Sequence, residues 1–361
     1  MQPLPDNLIS PPIRPVTDAV LDLAPGTPFR DAFLLLSQGR GVCLTGTYGA
    51  AMAFYSRLKK EIAANHPIHD YASSRRHQDA WHAVNAQVLI RISDHRPALE
   101  RAPHNPWLKD FFPDVQQFLM AFATFLGLNG ARQWYEKGIR YPVLPHRIHP
   151  FYGTYFPTRH DHLLLFDRWL KSTGTEVYRR GIDIGTGCGV LAFIMHAHGL
   201  PHIQATDINP NAIYSLQEDL KRLGPLAERS IFPEQADLLG SFQPQSRDLI
   251  VFNPPWIPAE PETPMDEACY YRPNFFEDFF CRMARQCPTG TTLVLLFSNF
   301  AKVAGLLTEH PVLHALEEHH ALFKLADLSR EPVRQASKKG TAWLSEIRRQ
   351  EQVEVLVIQR R

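Results

Sequence analysis

A chain of 361 residues with a formal net charge of +1 and 21% charged residues has no strong global field to favour nucleic acid or a membrane surface. At 44% hydrophobic it can bury a sizeable core, and no apolar run approaches the roughly 20 residues that a membrane-spanning helix needs. A small-molecule or protein substrate suits this balance best, and nucleic acid is possible but not favoured.

The length suggests two domains. The N-terminus, Met-Gln-Pro-Leu-Pro, lacks the basic start and apolar stretch of a secretory leader, which points to the cytoplasm. The cysteines Cys43, Cys188, Cys269, Cys281 and Cys287 form no CxxC pair and the histidines no HExxH, so neither a disulfide framework nor a metal site is expected.

Residues 1–27 are rich in proline and read as an extended arm. From Pro28 the pattern turns helical. Phe29, Phe33, Leu34 and Leu36 share one face. Ala50–Ile62 carries Phe54, Leu58 and Ile62 four residues apart. Trp81–Ile92 and Val115–Leu128 read as two further helices. Residues 1–140 are therefore expected to be a mostly helical N-terminal substrate domain with few strands.

Residues 141–160 break that pattern with Pro142, Pro145, Pro150, Gly153 and Pro157, and read as a linker passing over the site of the next domain. Arg140, Arg147, Arg159, His146, His149 and His160 make the region locally basic. Within 161–361, His162–Lys171 fits an amphipathic helix. Short apolar runs at Arg180–Ile184, Ile203–Thr206, Leu249–Phe252 and Thr292–Phe297 then alternate with helical patterns at Leu191–His198, Asn211–Leu223 and Asn274–Gln286. Late strands are expected near Ala321–Leu325 and Val353–Ile358. The alternation predicts an α/β domain with a mainly parallel sheet covered on both faces.

Four constellations carry chemistry. In Gly181-Ile-Asp-Ile-Gly-Thr-Gly-Cys-Gly-Val190 a short strand runs into Gly185, Gly187 and Gly189, and a helix follows. Glycine permits tight turning and close backbone approach to a ligand, and the helix offers free N–H groups. Asp183 at the strand end can meet a cationic group, directly or through water. Asp207, in Ala205-Thr-Asp-Ile-Asn-Pro210, lies about 20 residues after the glycines, the spacing at which a carboxylate reads a ribose diol. Asn209 before Pro210 fits a helix cap. Asp237, in Gln235-Ala-Asp-Leu238, could contact an adenine amino group from the end of a third strand. In Asp248-Leu-Ile-Val-Phe-Asn-Pro-Pro-Trp-Ile-Pro258 a buried strand stops at Asn253 and two prolines. The Asn253 side-chain oxygen and the Pro254 carbonyl can jointly grip one NH2 group, and Trp256 offers a flat face for a planar amide or base.

Together these residues, from roughly Tyr152 to Ile358, resemble the class I S-adenosylmethionine (SAM)-dependent methyltransferases. The Asn-Pro-Pro-Trp form resembles the branch containing the release-factor glutamine methyltransferases and the exocyclic-amino methyltransferases of DNA and RNA. Gly153-Thr-Tyr-Phe-Pro-Thr-Arg159 is similar to the stretch that closes over SAM in such enzymes. The resemblance implies a Rossmann-like, mainly parallel seven-stranded sheet with SAM as cofactor. It places Asp183, Gly185, Thr186, Gly187, Gly189, Asp207, Ile208, Asp237 and Asn253 around SAM. Asn253, Pro254 and Trp256 would be catalytic. Tyr152, Tyr155, Phe156, Arg159, Pro255 and Trp256 would meet the substrate. Residues 1–140 fall outside the resemblance and leave the acceptor open.

Three readings follow: methyl transfer to a nitrogen of a small molecule or protein side chain, a different reaction on SAM itself such as cyclisation or aminocarboxypropyl chemistry, and a non-catalytic scaffold. Exocyclic-amino methylation of RNA or DNA is a variant of the first. Arg330, Arg334, Lys338, Lys339, Arg348 and Arg349 read as a solvated basic face.

Overall fold

The computed structural model describes residues 4–24, 26–261, 266–334 and 342–361. Lys338 and Lys339 lie outside the described residues. The chain forms two compact units, one built mainly from residues up to Gln133 and the other from Trp134 onward.

The first unit contains β1 (Leu21–Leu23), α1 (Phe29–Ser37), β2 (Val42–Leu44), α2 (Tyr48–Asn65), α3 (Tyr71–Asn85), β3 (Val88–Ser93), β4 (Arg96–Pro97), α4 (Trp107–Phe111), β5 (Gln117–Ala121) and the start of α5 (Phe122–Lys137). Thr47 caps α2 by accepting from the Ala50 N–H at 3.2 Å, and Asp70 and Ser73 form a capping box on α3. The expected helices over Phe29–Leu36 and Ala50–Ile62 are present, and Leu58 and Ile62 are buried.

Two other expectations need correction. Val88–Ile92, expected to continue a helix from Trp81, is strand β3, and the segment expected as helix Val115–Leu128 opens with strand β5. With β1, β2 and β4 they make a five-stranded sheet, in which β1, β2 and β3 are parallel while β4 and β5 run antiparallel to β3. Cys43, Leu89 and Leu119 form its buried centre. The unit still holds more helix than strand. The expected domain boundary after residue 140 falls instead inside α5, between Gln133 and Trp134.

The second unit continues with β6 (Ile139–Arg140), β7 (Arg147–Ile148), α6 (Asp161–Thr173), β8 (Gly181–Ile184), α7 (Val190–Ala197), β9 (Ile203–Asp207), α8 (Pro210–Leu223), α9 (Pro225–Glu228) and β10 (Ile231–Gln235). It ends with β11 (Leu249–Phe252), β12 (Ile257–Pro258), β13 (Tyr270–Tyr271), α10 (Phe275–Gln286), β14 (Thr292–Ser298), α11 (Phe300–Val303), α12 (Pro311–Glu318), β15 (Phe323–Pro332), α13 (Ala342–Gln350) and β16 (Gln352–Arg360).

Its main sheet has seven strands in the order β10-β9-β8-β11-β14-β16-β15. The first five are parallel, and β16 runs antiparallel between β14 and β15. The central strands β8 and β11 are buried at every position, as a sheet covered on both faces requires. Alternation then divides the side chains between two cores: Ile182, Ile184, Ile250 and Phe252 join Phe276, Phe280 and Phe297 on one side. Leu249 and Val251 join Leu163, Phe166, Phe193 and Leu216 on the other.

Sequence-adjacent strands run outward from β8 through β9 to β10, whereas β11 returns to the other flank of β8. The order therefore reverses between β8 and β11, and in doubly wound sheets ligands bind in the crevice beyond the strand ends at that point. Below it, Asp248 is fully buried and accepts from Arg180 through Nε at 3.3 Å and Nη2 at 2.5 Å, and from the Gln245 N–H at 2.7 Å. Among the described residues no helix is long and apolar enough to cross a membrane.

Candidate active site at the sheet switch point

β8 leads directly into the glycine loop. Gly185, Gly187 and Gly189 all adopt left-handed backbone conformations, with φ of +61°, +53° and +82°, which L side chains disfavour. At Gly187 space is also closed: a Cβ there would lie 2.8 Å from the Tyr155 carbonyl oxygen. That carbonyl accepts the Cys188 N–H at 3.0 Å, so the segment before α6 is laced onto the loop. The Tyr141 hydroxyl donates to the Pro157 carbonyl at 3.1 Å and holds the same segment from behind.

Asp207 ends β9 facing the loop. Its Oδ2 accepts from the Gly187 N–H at 2.8 Å, and its Oδ1 from the Asn209 N–H at 2.9 Å. Burial raises its pKa against these two stabilising bonds. Asn209 also caps α8, accepting from the Asn211 N–H at 2.9 Å, with Pro210 at the first helical position.

A cavity open to solvent lies over these strand ends. Gly185, Thr186, Gly187, Asp207, Ile208 and Asp237 line it, as do Asn253 and Pro255. Asp237 is exposed and pairs with Arg282 at 2.6 Å. Asp183 and Gly189 stand behind the wall rather than in it. Asp183 is fully buried, and its Oδ2 accepts from the Thr186 hydroxyl at 2.6 Å and the Ala192 N–H at 3.0 Å, which joins the loop to the start of α7. Its other oxygen has no partner. Burial, helped by the Asp207 charge, lifts its pKa to about 7 against those hydrogen bonds. Gly189 supports α8, since a Cβ there would meet Leu216 at 2.6 Å.

A second cavity adjoins the first, and Tyr155, Pro157, Asn253 and Ala268 belong to both walls. Pro254, Trp256, Arg159 and His162 line it. Asn253 stands immediately after β11, where Pro254 and Pro255 end the strand, and its side-chain oxygen is buried without a partner. The Trp256 indole N–H donates to the Leu296 carbonyl at 3.2 Å, which fixes the ring. The His162 ring meets it edge-on, with centroids 5.2 Å apart and planes at 88°.

Of the residues expected to meet a substrate, Tyr155, Arg159, Pro255 and Trp256 line a cavity, whereas Tyr152 and Phe156 do not. The Tyr152 carbonyl accepts from the Asn211 side chain at 2.9 Å. Phe156 packs into the core, its ring 6.0 Å from that of Trp134. Tyr152 and Gly153 form a turn closed by the Thr154 N–H on the Phe151 carbonyl at 3.2 Å.

Several cavity residues lie outside the expected set. Leu163, Ala212, Phe252 and Phe275 supply apolar wall, with no sequence signal beyond membership of the core. Cys188 also lines the first cavity, and burial pushes its thiol up to about 12, which leaves it unreactive. Arg348 and Glu351 reach the second cavity from the far end of the chain, so Arg348 does not belong to a solvated basic face. Glu351 is buried, accepts from the Ser298 hydroxyl at 2.8 Å, and pairs with Arg348. In the sequence His162 marks only the start of a helix.

A doubly wound seven-stranded sheet with a glycine loop and an acidic strand end at its switch point is a Rossmann-like fold. Residues 165–268 match the family described as Methyltransferase small domain. The chain is 40% identical over 88 residues to the release factor glutamine methyltransferase of Moorella thermoacetica. That match occupies 23% of this chain and spans 30% of the length of the relative. Among solved structures it is similar to a ribosomal protein L11 methylase from Lactobacillus delbrueckii subsp. bulgaricus, with a TM-score of 0.39 at 16% identity over 63% of this chain and 92% of the other. It is also similar to a geranyl diphosphate methyltransferase in complex with SAM, with a TM-score of 0.40 at 11% identity over 55% of this chain and 85% of that one.

Proposed function

We propose that this chain is a SAM-dependent methyltransferase that transfers a methyl group to a nitrogen of a small molecule or a protein side chain. The first cavity fits the cofactor. Its glycine loop forms part of the wall and is held rigidly, with no room for a Cβ at Gly187 and the Gly187 N–H bonded to Asp207. The Asp207 carboxylate has each oxygen committed to one backbone N–H, and each keeps a lone pair for a ribose hydroxyl. When bound, SAM supplies an electrophilic methyl on a positively charged sulfur. Asp237 would take the adenine amino group with the carboxylate oxygen that Arg282 leaves available.

The observation that carries the reading is the Asn253 side-chain oxygen, buried without a partner on the wall that the two cavities share. A buried polar atom in a native fold nearly always has a partner, and here a ligand would bring it. An NH2 group donating to Asn253 Oδ1 and to the Pro254 carbonyl would be held with its lone pair turned toward the first cavity. Trp256, its own N–H already bonded to Leu296, would offer its ring to a planar group. Planar nitrogens are weak nucleophiles, so acceleration comes from placing the nitrogen and stabilising its developing charge; as the N–CH3 bond forms the S–CH3 bond breaks, S-adenosylhomocysteine leaves, and the nitrogen gives up one proton to solvent. The match to a release factor glutamine methyltransferase supports nitrogen as the acceptor atom.

Asn253→Ala tests this. S-adenosylhomocysteine should bind within about two-fold of wild type, and methyl turnover should fall by roughly 10²-fold or more, the usual loss of an electrostatic partner. Turnover near the wild-type rate would remove Asn253 from the mechanism.

A further inference from the structure

His162, in the first turn of α6, is 2% exposed and lines the second cavity beside Asn253, Pro254 and Trp256. Neither of its ring nitrogens has a hydrogen-bond partner. A ring serving only as packing is better replaced by Leu or Phe, because a buried polar atom left unpaired is destabilising. The orientation is not accidental either, since the ring stands edge-on to an indole whose own N–H is anchored on β14.

We propose that His162 is a specificity-determining residue of the acceptor cavity, a neutral imidazole that hydrogen-bonds an uncharged polar group next to the nitrogen held by Asn253. This deepens the methyltransferase reading and rests on its assignment of the second cavity to the acceptor.

The charges around the ring fit that role. Burial first, then the neighbouring His160 and Arg159, hold His162 far below the ordinary histidine range, at about 3. The ring is then too weak a base to take the proton that methylation releases near pH 7. A neutral imidazole offers one N–H donor and one acceptor nitrogen. An NH2 bonded to a carbon that also bears an acceptor atom, as in a carboxamide, presents a donor for Asn253 and an acceptor for His162. A primary ammonium presents donors only, and the cavity wall carries the two cations Arg159 and Arg348 against the one carboxylate of Glu351, which Arg348 already pairs. The site would thus select planar, uncharged nitrogen groups over aliphatic amines.

The test uses the full chain loaded with S-adenosylhomocysteine, with N-acetyl-L-glutaminamide as the probe and histidine ring nitrogens labelled with 15N. The expected result is a shift of the His162 ring signals on titration, roughly ten-fold weaker probe binding in His162→Phe, and partial recovery in His162→Asn, as the loss and return of one buried hydrogen bond imply. S-adenosylhomocysteine affinity should stay within about two-fold in both variants, which also shows that they fold. Equal probe affinity in wild type and His162→Phe overturns the inference, as does an unmoved His162 signal or no probe binding by the loaded wild type. Failure of wild type to bind S-adenosylhomocysteine would instead sink the reading beneath it.

Discussion

The Gly187 N–H donates a 2.8 Å hydrogen bond to Oδ2 of Asp207, tying the glycine loop after β8 to the end of β9. The bond fixes the carboxylate at the sheet's switch point before any ligand arrives. It also makes the loop conformation and the Asp207 carboxylate one mechanical unit.

Gly187→Ala should break that unit. A left-handed backbone costs an L residue about 1–2 kcal/mol, and the new Cβ would press on the Tyr155 carbonyl oxygen at 2.8 Å, which is backbone and cannot swing away. S-adenosylhomocysteine affinity, measured by calorimetry, should fall by at least about ten-fold, the equivalent of roughly 1.4 kcal/mol. Unchanged affinity would mean that the loop does not cradle the cofactor.

Two buried groups should give opposite pH dependences of stability. Asp183 has its pKa raised from 3.8 to about 7, so its contribution is fully present below 3.8 and is lost as pH rises through 7. His162 has its pKa lowered from 6.5 to about 3, so its contribution is present above 6.5 and is lost as pH falls toward 3. Each effect has an upper bound of about 4–5 kcal/mol. Thermal melts of Asp183→Asn against wild type should show a difference that moves in favour of the variant as pH rises. For His162→Leu the difference should move in favour of the variant as pH falls. Parallel pH profiles for variant and wild type would contradict the burial assigned to either group.

Arg180→Ala leaves the fully buried Asp248 carboxylate with only the Gln245 N–H. Losing one partner of a buried pair costs about 3–5 kcal/mol, and partial exposure of Arg180 brings the expectation to about 2–4 kcal/mol in urea unfolding. A loss below about 0.5 kcal/mol would show the pair to be no stronger than a surface contact.

Much of the second unit is legible in its residues. Leu249–Phe252 is a strand with the expected bounds, because four consecutive apolar residues ended by Asn-Pro-Pro leave little else. The glycines and Asp207 are legible as a loop and an acidic strand end that meet, because glycine is what the left-handed turns after β8 require and Asp207 closes the next strand. The first unit is less so. Val-Leu-Ile-Arg-Ile-Ser and Gln-Phe-Leu-Met-Ala each adjoin a helix, and a short apolar run has no period that separates strand from buried helix. The second cavity is the least legible. His162, Arg348 and Glu351 come from distant parts of the chain, and their function depends on what packing leaves unpaired or buried, which no local pattern records.

Mass spectrometry of SAM incubated with the purified protein, first alone and then with an extract of the source cells, distinguishes methyl transfer from a reaction on SAM itself. S-adenosylhomocysteine should form only when extract is present, together with an extract component that has gained one methyl group on nitrogen. Formation of 5′-methylthioadenosine by the protein alone would contradict methyl transfer and make SAM itself the substrate.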